Sequence, residues 1–215
     1  CLVGSEMCIR DSTRIMGYLQ LGEYQAIVKE PNEQDSTVFL RSAQVSGTGE
    51  TLFPLRQGVA GVGAVASGAV KNFRDEPLFL SRTGIQSLAT NAITYERTIQ
   101  NRSYYVDARL TKESELENAV AVEWDGYYLL CVNSRCYVLD GRQNKTYKPQ
   151  SYGDYVYECY YWENVPAVCF LEKDGALFFG TADGRVCRFN TDRERMERYS
   201  CLLYTSDAAD DLIGV

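Results

Sequence analysis

The 215-residue sequence contains no histidine. That removes the commonest general base and the commonest transition-metal ligand, and with them every Ser-His and Cys-His nucleophile arrangement. Positive charge is also short: 22 Lys and Arg stand against 29 Asp and Glu, a net charge of −7. An acidic balance argues against nucleic acid or anionic lipid as the main partner. No apolar run approaches the roughly 18 residues that a membrane-spanning helix needs. What is present is apolar and aromatic material, 45% and 12% of the chain, enough for one ordinary globular unit or two small ones.

The two ends stand apart from the rest and are set aside before any fold reasoning. The stretch CLVGSEMCIRDS (Cys1 to Ser12) resembles a translated transposase-type sequencing adapter, and CLLYTSDAADDLIGV (Cys201 to Val215) resembles its partner running into an index. Residues 13–200 are then expected to be the native part, a fragment cut at both ends and forming one domain. Within it the charge falls to about −3, from 21 basic and 24 acidic residues, and five cysteines remain: Cys131, Cys136, Cys159, Cys169 and Cys187.

That part reads as short alternating runs broken by turn residues, an all-β signature. In Ala119 to Arg142, Asp125-Gly126 and Asn133-Ser134 separate three apolar runs, and Asp140-Gly141 follows. Asp-Gly suits a type I′ hairpin, whose two central residues need positive φ. The layout returns in Ala167 to Asn190 with Asp174-Gly175 and Asp183-Gly184, and more weakly in Ala69 to Asn91 with Asp75-Glu76 and Thr83-Gly84. Asp75, Asp125 and Asp174 lie 50 and 49 residues apart, and a poorer copy occupies Tyr18 to Arg41 around Leu21-Gly22. Hairpin repeats of about 40 to 50 residues predict propeller blades, small sheets that must stack to bury both faces. The predicted fold is therefore all-β, a partial propeller-like array of about three to four antiparallel blades, with exposed apolar surface where a neighbour is missing. Short connecting helices are predicted over Thr94 to Gln100 and Lys112 to Asn118, each with a Thr cap and early acids.

Few residues carry chemistry. Gly61 to Ala66 satisfies G-x-G-x-x-A, but the strand–helix context of a dinucleotide site is absent, so a close approach of backbones is expected there. Cys131 and Cys136 would face each other across a hairpin if Asn133-Ser134 is its turn; two reduced core thiols or a bridge both fit that placement. Asn101-Arg102-Ser103 and Asn144-Lys145-Thr146 match the glycosylation sequon, which matters only in a secreted eukaryotic protein. Asp125, Asp140, Asp174 and Asp183 each precede a turn glycine, a local backbone role rather than a calcium loop. No catalytic residue, cofactor or metal ligand is assigned. Tyr147 to Trp162 packs six tyrosines and a tryptophan into 16 residues. Tyr152, Tyr155, Tyr157, Tyr160, Tyr161 and Trp162 form the candidate interface; the i, i+2 spacing of Tyr155, Tyr157, Cys159 and Tyr161 equally suits a packed strand face.

The segment Val59 to Asn190 resembles uncharacterised β-propeller proteins of bacteriophage and prophage structural-gene clusters. The likeness rests on GVAGVGAV (Gly58 to Val65), DEPLFLSRTGI (Asp75 to Ile85), NRSYYVDARL (Asn101 to Leu110), Leu116 to Gln143 and Tyr160 to Asn190. It implies a non-enzymatic virion protein of the tail or head-to-tail region. Its partners would be other virion proteins or a second copy, without nucleic acid or membrane, and it would reside in the virion or, during assembly, in the host cytoplasm. The alternative is a carbohydrate-binding or glycoside-processing propeller, with the tyrosines and Trp162 stacking on sugars.

Overall fold

The computed structural model describes residues 13–33, 36–90, 97–142, 157–189 and 201–204. The chain divides into two compact units, Cys1–Gln100 and Asn101–Val215, and each carries two antiparallel sheets that follow one another in sequence.

In the first unit, β1 (Ile15–Leu21), β2 (Tyr24–Lys29), β3 (Ser36–Arg41) and β6 (Leu55–Ala60) form the first sheet in that order. A two-stranded ribbon, β4 (Gln44–Val45) and β5 (Thr51–Leu52), interrupts it between β3 and β6. The second sheet has the order β10-β9-β8-β7, built from β7 (Lys71–Phe73), β8 (Glu76–Ser81), β9 (Gly84–Thr90) and β10 (Arg97–Asn101). The second unit opens with a short helix, α1 (Tyr104–Leu110). The third sheet follows: β11 (Val120–Trp124), β12 (Tyr127–Val132), β13 (Arg135–Asp140), β14 (Glu158–Glu163) and β18 (Cys201–Tyr204). β15 (Cys169–Lys173), β16 (Ala176–Gly180) and β17 (Val186–Arg188) make the fourth.

The repeat seen in the sequence is a repeat of topology. The turn between the first and second strand of each sheet falls at Gly22–Glu23, Arg74–Asp75, Asp125–Gly126 and Asp174–Gly175. Asp125 and Gly126 have φ of 47° and 76°, Asp174 and Gly175 of 54° and 75°, the positive pair that a two-residue hairpin loop requires to match strand twist. In the second sheet the loops sit one residue earlier than the sequence suggests. Glu76 already pairs with Phe73, and Arg74 takes the positive φ of 54°. Gly84 likewise pairs with Ser81 as the first residue of β9. Asp140-Gly141 is no hairpin turn, because Asp140 pairs with both Tyr127 and Glu158 inside the sheet.

Both helix expectations need correction. Arg97–Asn101 is strand, so a helix over Thr94 to Gln100 does not form; Thr94 to Glu96 lie outside the described residues. The helix of the second linker is α1, ahead of Lys112, and only a 3-10 turn at Leu116–Asn118 remains of the expected segment. Side chains before the helix explain the shift. Asn101 accepts from the Ser103 backbone N–H at 2.8 Å, and Ser103 and Asn101 both donate to the Asp107 carboxylate at 2.5 Å. That cluster fixes the entry into a seven-residue helix whose tyrosines and valine have modest helix propensity of their own.

Each unit buries one sheet face on the next. Met16, Leu19, Ala26, Val28, Val38 and Leu40 of the first sheet cluster with Phe79 and Leu88 of the second. Leu129, Cys131, Cys136 and Val138 of the third cluster with Leu177 and Phe179 of the fourth. The Gly61–Ala66 segment stitches the first pair together. The Ala64 N–H donates to the Lys29 carbonyl at 2.9 Å and the Val65 N–H to the Leu80 carbonyl at 2.8 Å. A side chain at Gly63 would put its Cβ 2.4 Å from the Pro31 nitrogen. The glycine is there for backbone approach, as expected, and β6 before it and a 3-10 turn after it give no dinucleotide context.

The segment 201–215 was expected to lie outside the fold. For Cys201–Tyr204 this does not hold: they add a strand to the third sheet, pairing from Cys159↔Tyr204 to Trp162↔Cys201. Residues 1–12 and 205–215 lie outside the described residues.

Candidate functional site

Strand β14 places the aromatic segment. It pairs in register with β13, Tyr161 opposite Tyr137 and Tyr160 opposite Val138, so successive rings alternate between the two faces of the third sheet. Tyr157 and Tyr161 are buried, and Tyr160 and Trp162 are half-buried against the core shared with the fourth sheet. Trp162 lies 6.3 Å from Phe189 and Tyr161 lies 5.4 Å from Tyr137, ring centre to ring centre. Among the described members of the candidate interface, none presents an open ring to solvent; Tyr152 and Tyr155 lie outside the described residues.

On the other face of that sheet sits a densely hydrogen-bonded polar group. Glu113 follows α1, and its side chain is 2% exposed. Its carboxylate accepts from the Tyr137 hydroxyl at 2.6 Å, from Arg135 Nη1 at 2.8 and 2.9 Å, and from Asn133 Nδ2 at 3.2 Å. Asn133 also donates to the Ser114 carbonyl at 2.7 Å. Burial pushes the Glu113 carboxyl upward, but the hydrogen bonds from Tyr137, Arg135 and Asn133, with the Arg135 charge, outweigh it and hold the pKa below its ordinary value. Burial first, then the Glu113 hydrogen bond, pushes the Tyr137 phenol far up. A carboxylate held ionised and a phenol held neutral do not exchange a proton near neutral pH. The cluster ties the α1 linker to the β12–β13 hairpin. Beside it Arg109 lies over the Tyr161 ring at 4.3 Å, and Tyr105, Val106, Ala108, Arg109, Tyr137 and Tyr161 enclose a cavity of about 180 Å³.

Several of the remaining sequence candidates have local partners. Cys131 and Cys136 are cross-strand neighbours, as the Asn133-Ser134 turn requires, and are buried free thiols. Asp125 pairs with Arg142 at 3.3 Å, and Asp183 bonds to Thr181 and Arg185. Asp140 accepts the Arg142 backbone N–H at 2.8 Å. The Asn101 amide nitrogen is occupied by Asp107, while Asn144 lies outside the described residues. Among the described residues, no group of three or more His, Cys, Asp or Glu side chains is placed to hold a metal ion, and no helix is long and apolar enough to cross a membrane.

Exposed apolar surface is expected where a sheet lacks a neighbour, but the sequence names no residues for it. The fourth sheet turns Phe170, Leu177, Phe179 and Cys187 toward the third. The register of β15 with β16 and β17 therefore sends Cys169, Leu171, Phe178 and Val186 to the opposite face. Leu171 is 61% and Val186 78% exposed, and Cys169 is exposed as well. Arg188 lies 6.0 Å over the Phe178 ring. The alternation of both residue sets was readable, but not which face would be left uncovered. No family model and no curated protein matches the chain.

Proposed function

We propose that the chain is a non-enzymatic virion structural protein of a phage or prophage, from the tail or head-to-tail region, acting by protein–protein contact. In this reading its sheets are the three to four blades of a partial propeller-like array, and it resides in the virion or in the host cytoplasm during assembly. The observation that carries the contact role is the open face of the fourth sheet. The first three sheets put apolar faces into a core, and the fourth alternates in the same way yet leaves Leu171 and Val186 in water. A contiguous exposed apolar face on a rigid sheet marks a binding surface. Its occupant in this reading is an apolar sheet face of a neighbouring virion protein, stacked as the fourth sheet stacks on the third.

The glycoside reading called for exposed aromatics in the Tyr147 to Trp162 segment beside paired acids, and the four described rings are packed instead. Two measurements test the proposal. The parent genomic contig should carry portal, capsid or tail genes; a neighbourhood of sugar-metabolic genes would overturn it. In a reconstituted virion assembly, Leu171→Asp with Val186→Asp should abolish incorporation while leaving the melting temperature within about 2 °C, as surface changes do. Incorporation at the parental level would refute the role of this face.

A further inference from the structure

We propose that a groove beside the first hairpin of the first sheet binds a neutral saccharide. The groove is open to solvent, about 470 Å³ in volume, and is lined chiefly by Tyr18, Gln20, Glu23, Tyr24, Gln25 and Asn72. That volume falls within the roughly 300–1,000 Å³ of small-molecule sites, enough for one or two hexose rings. The register of β1 with β2 sets the chemistry side by side. Gln20 lies directly opposite Gln25, and Tyr18 stands two residues along the same strand, so the ring and both amides share one sheet face. Tyr18 is 58% exposed.

The wall is fixed by an unusual pairing. β1 is the edge strand of its sheet, and an edge strand has outward main-chain groups without a ladder partner. At Gln20 both are taken by one side chain: the backbone N–H donates to Asn72 Oδ1 at 2.9 Å, and Asn72 Nδ2 donates to the Gln20 carbonyl at 2.7 Å. The Gln20 side chain also donates to the Gly22 carbonyl at 3.4 Å, which holds it along the turn. Preorganised polar groups lose little freedom when a ligand arrives.

The lining selects the ligand. A pyranose offers vicinal hydroxyls, each both donor and acceptor, and a face of C–H bonds. Glutamine amides provide a donor and an acceptor in one plane, the Glu23 carboxylate accepts from two adjacent hydroxyls, and a tyrosine ring offers an apolar body with a polar tip. No lysine or arginine lines the groove, so a phosphate or sulfate would meet only the negative charge of Glu23. The saccharide assignment stands on this groove and does not depend on the virion reading.

The test is saturation-transfer NMR on the full chain with cellobiose, maltose, lactose and chitobiose, each at about 5 mM, a concentration that reports millimolar affinity. At least one should receive saturation. The effect should fall about tenfold in Tyr18→Ala and in Gln25→Ala, both at solvent-exposed positions, and persist in Tyr104→Ala, an exposed tyrosine of α1. Transfer to none of the four would overturn the proposal. So would equal transfer in the parent, Tyr18→Ala and Gln25→Ala chains, or stronger transfer to a sulfated disaccharide than to any neutral one.

Discussion

The third and fourth sheets begin with the same device, an Asp-Gly loop between first and second strands, 49 residues apart. Their interiors then diverge. In β12 and β13 every residue beyond the first is buried, whichever way it points. β15 has no fully buried residue, and β16 buries only Leu177 and Phe179, the two facing the third sheet. Hairpin chemistry is equal in the two, so it does not set burial. Burial follows from how many faces are covered: α1 and the Glu113 cluster lie on the second face of the third sheet, and nothing among the described residues buries Leu171 or Val186 on that of the fourth. The difference teaches that the repeat specifies strand and turn, while position in the stack decides core or surface.

The sharpest way to break this comparison is truncation of one leucine in each sheet. Leu129 is fully buried, and Leu129→Ala should cost about 2–5 kcal/mol through lost burial and a residual cavity. Leu171→Ala, on the open face, should change stability by no more than about 0.5 kcal/mol. Urea unfolding monitored by tryptophan fluorescence gives both values; similar losses would show that the fourth sheet's outer face is covered after all.

Next in size is Glu113→Gln. It leaves the Tyr137 hydroxyl and Arg135 facing a neutral amide and weakens the charge-assisted bonds from three donor side chains, a loss of about 1–3 kcal/mol near neutral pH. The pH dependence has a definite sign. The folded carboxyl titrates below its ordinary value, so its contribution is present above the unfolded glutamate range, around pH 4–5, and disappears as pH falls through the folded value. The parent chain should therefore lose more stability than Glu113→Gln between pH 5 and acid, and parallel curves would remove the carboxylate from the account of how the third sheet's second face is held.

Strands and turns were legible because period-2 alternation and Asp-Gly loops are local. The 131–136 pairing followed from a two-residue turn alone, since the turn length sets the register. The helix starts several residues before the expected segment because its start depends on Asn101, Ser103 and Asp107 closing on one another, a pattern that a Thr cap and early acids do not describe. Glu113 reads in the sequence as an early acid of a short helix: its importance comes from Tyr137 and Arg135, more than 20 residues on and brought to it only by the fold. The tyrosines show the same limit, since alternation told which rings share a face but not that Tyr157 and Tyr161 are buried.

A smaller effect separates the two loops. Gly126 and Gly175 both have φ near 75°, where alanine is strained by about 1 kcal/mol relative to glycine. A Cβ at Gly175 meets open space, whereas at Gly126 it would lie 2.6 Å from Arg142 Cγ. Arg142 is held over the Tyr127 ring at 3.9 Å and beside Asp125. Gly126→Ala should therefore exceed Gly175→Ala by a few tenths of a kcal/mol as Arg142 shifts. Equal losses would mean that Arg142 gives way freely.

The last expected difference leaves stability untouched and reads covering directly. Thiols of the two sheets report which faces water reaches. Cys131, Cys136 and Cys159 are buried in the third sheet, and burial, then the neighbouring Cys131, pushes the Cys136 thiol well up. Both a low thiolate fraction and poor access slow alkylation. Cys169 lies on the open face of the fourth sheet, next to Gly180, where any side chain would bring a Cβ to 2.7 Å from its sulfur. Brief iodoacetamide treatment of the native chain, followed by peptide mass mapping, should modify Cys169 first and half-buried Cys187 more slowly. Cys131, Cys136 and Cys159 should be modified only after unfolding. If a partner sheet stacks on Leu171 and Val186, its addition should protect Cys169 and leave the order of the others unchanged. Early labelling of Cys131 in the native chain would instead mean that the third sheet opens as readily as the fourth, and the contrast in covering would no longer explain their contrast in burial.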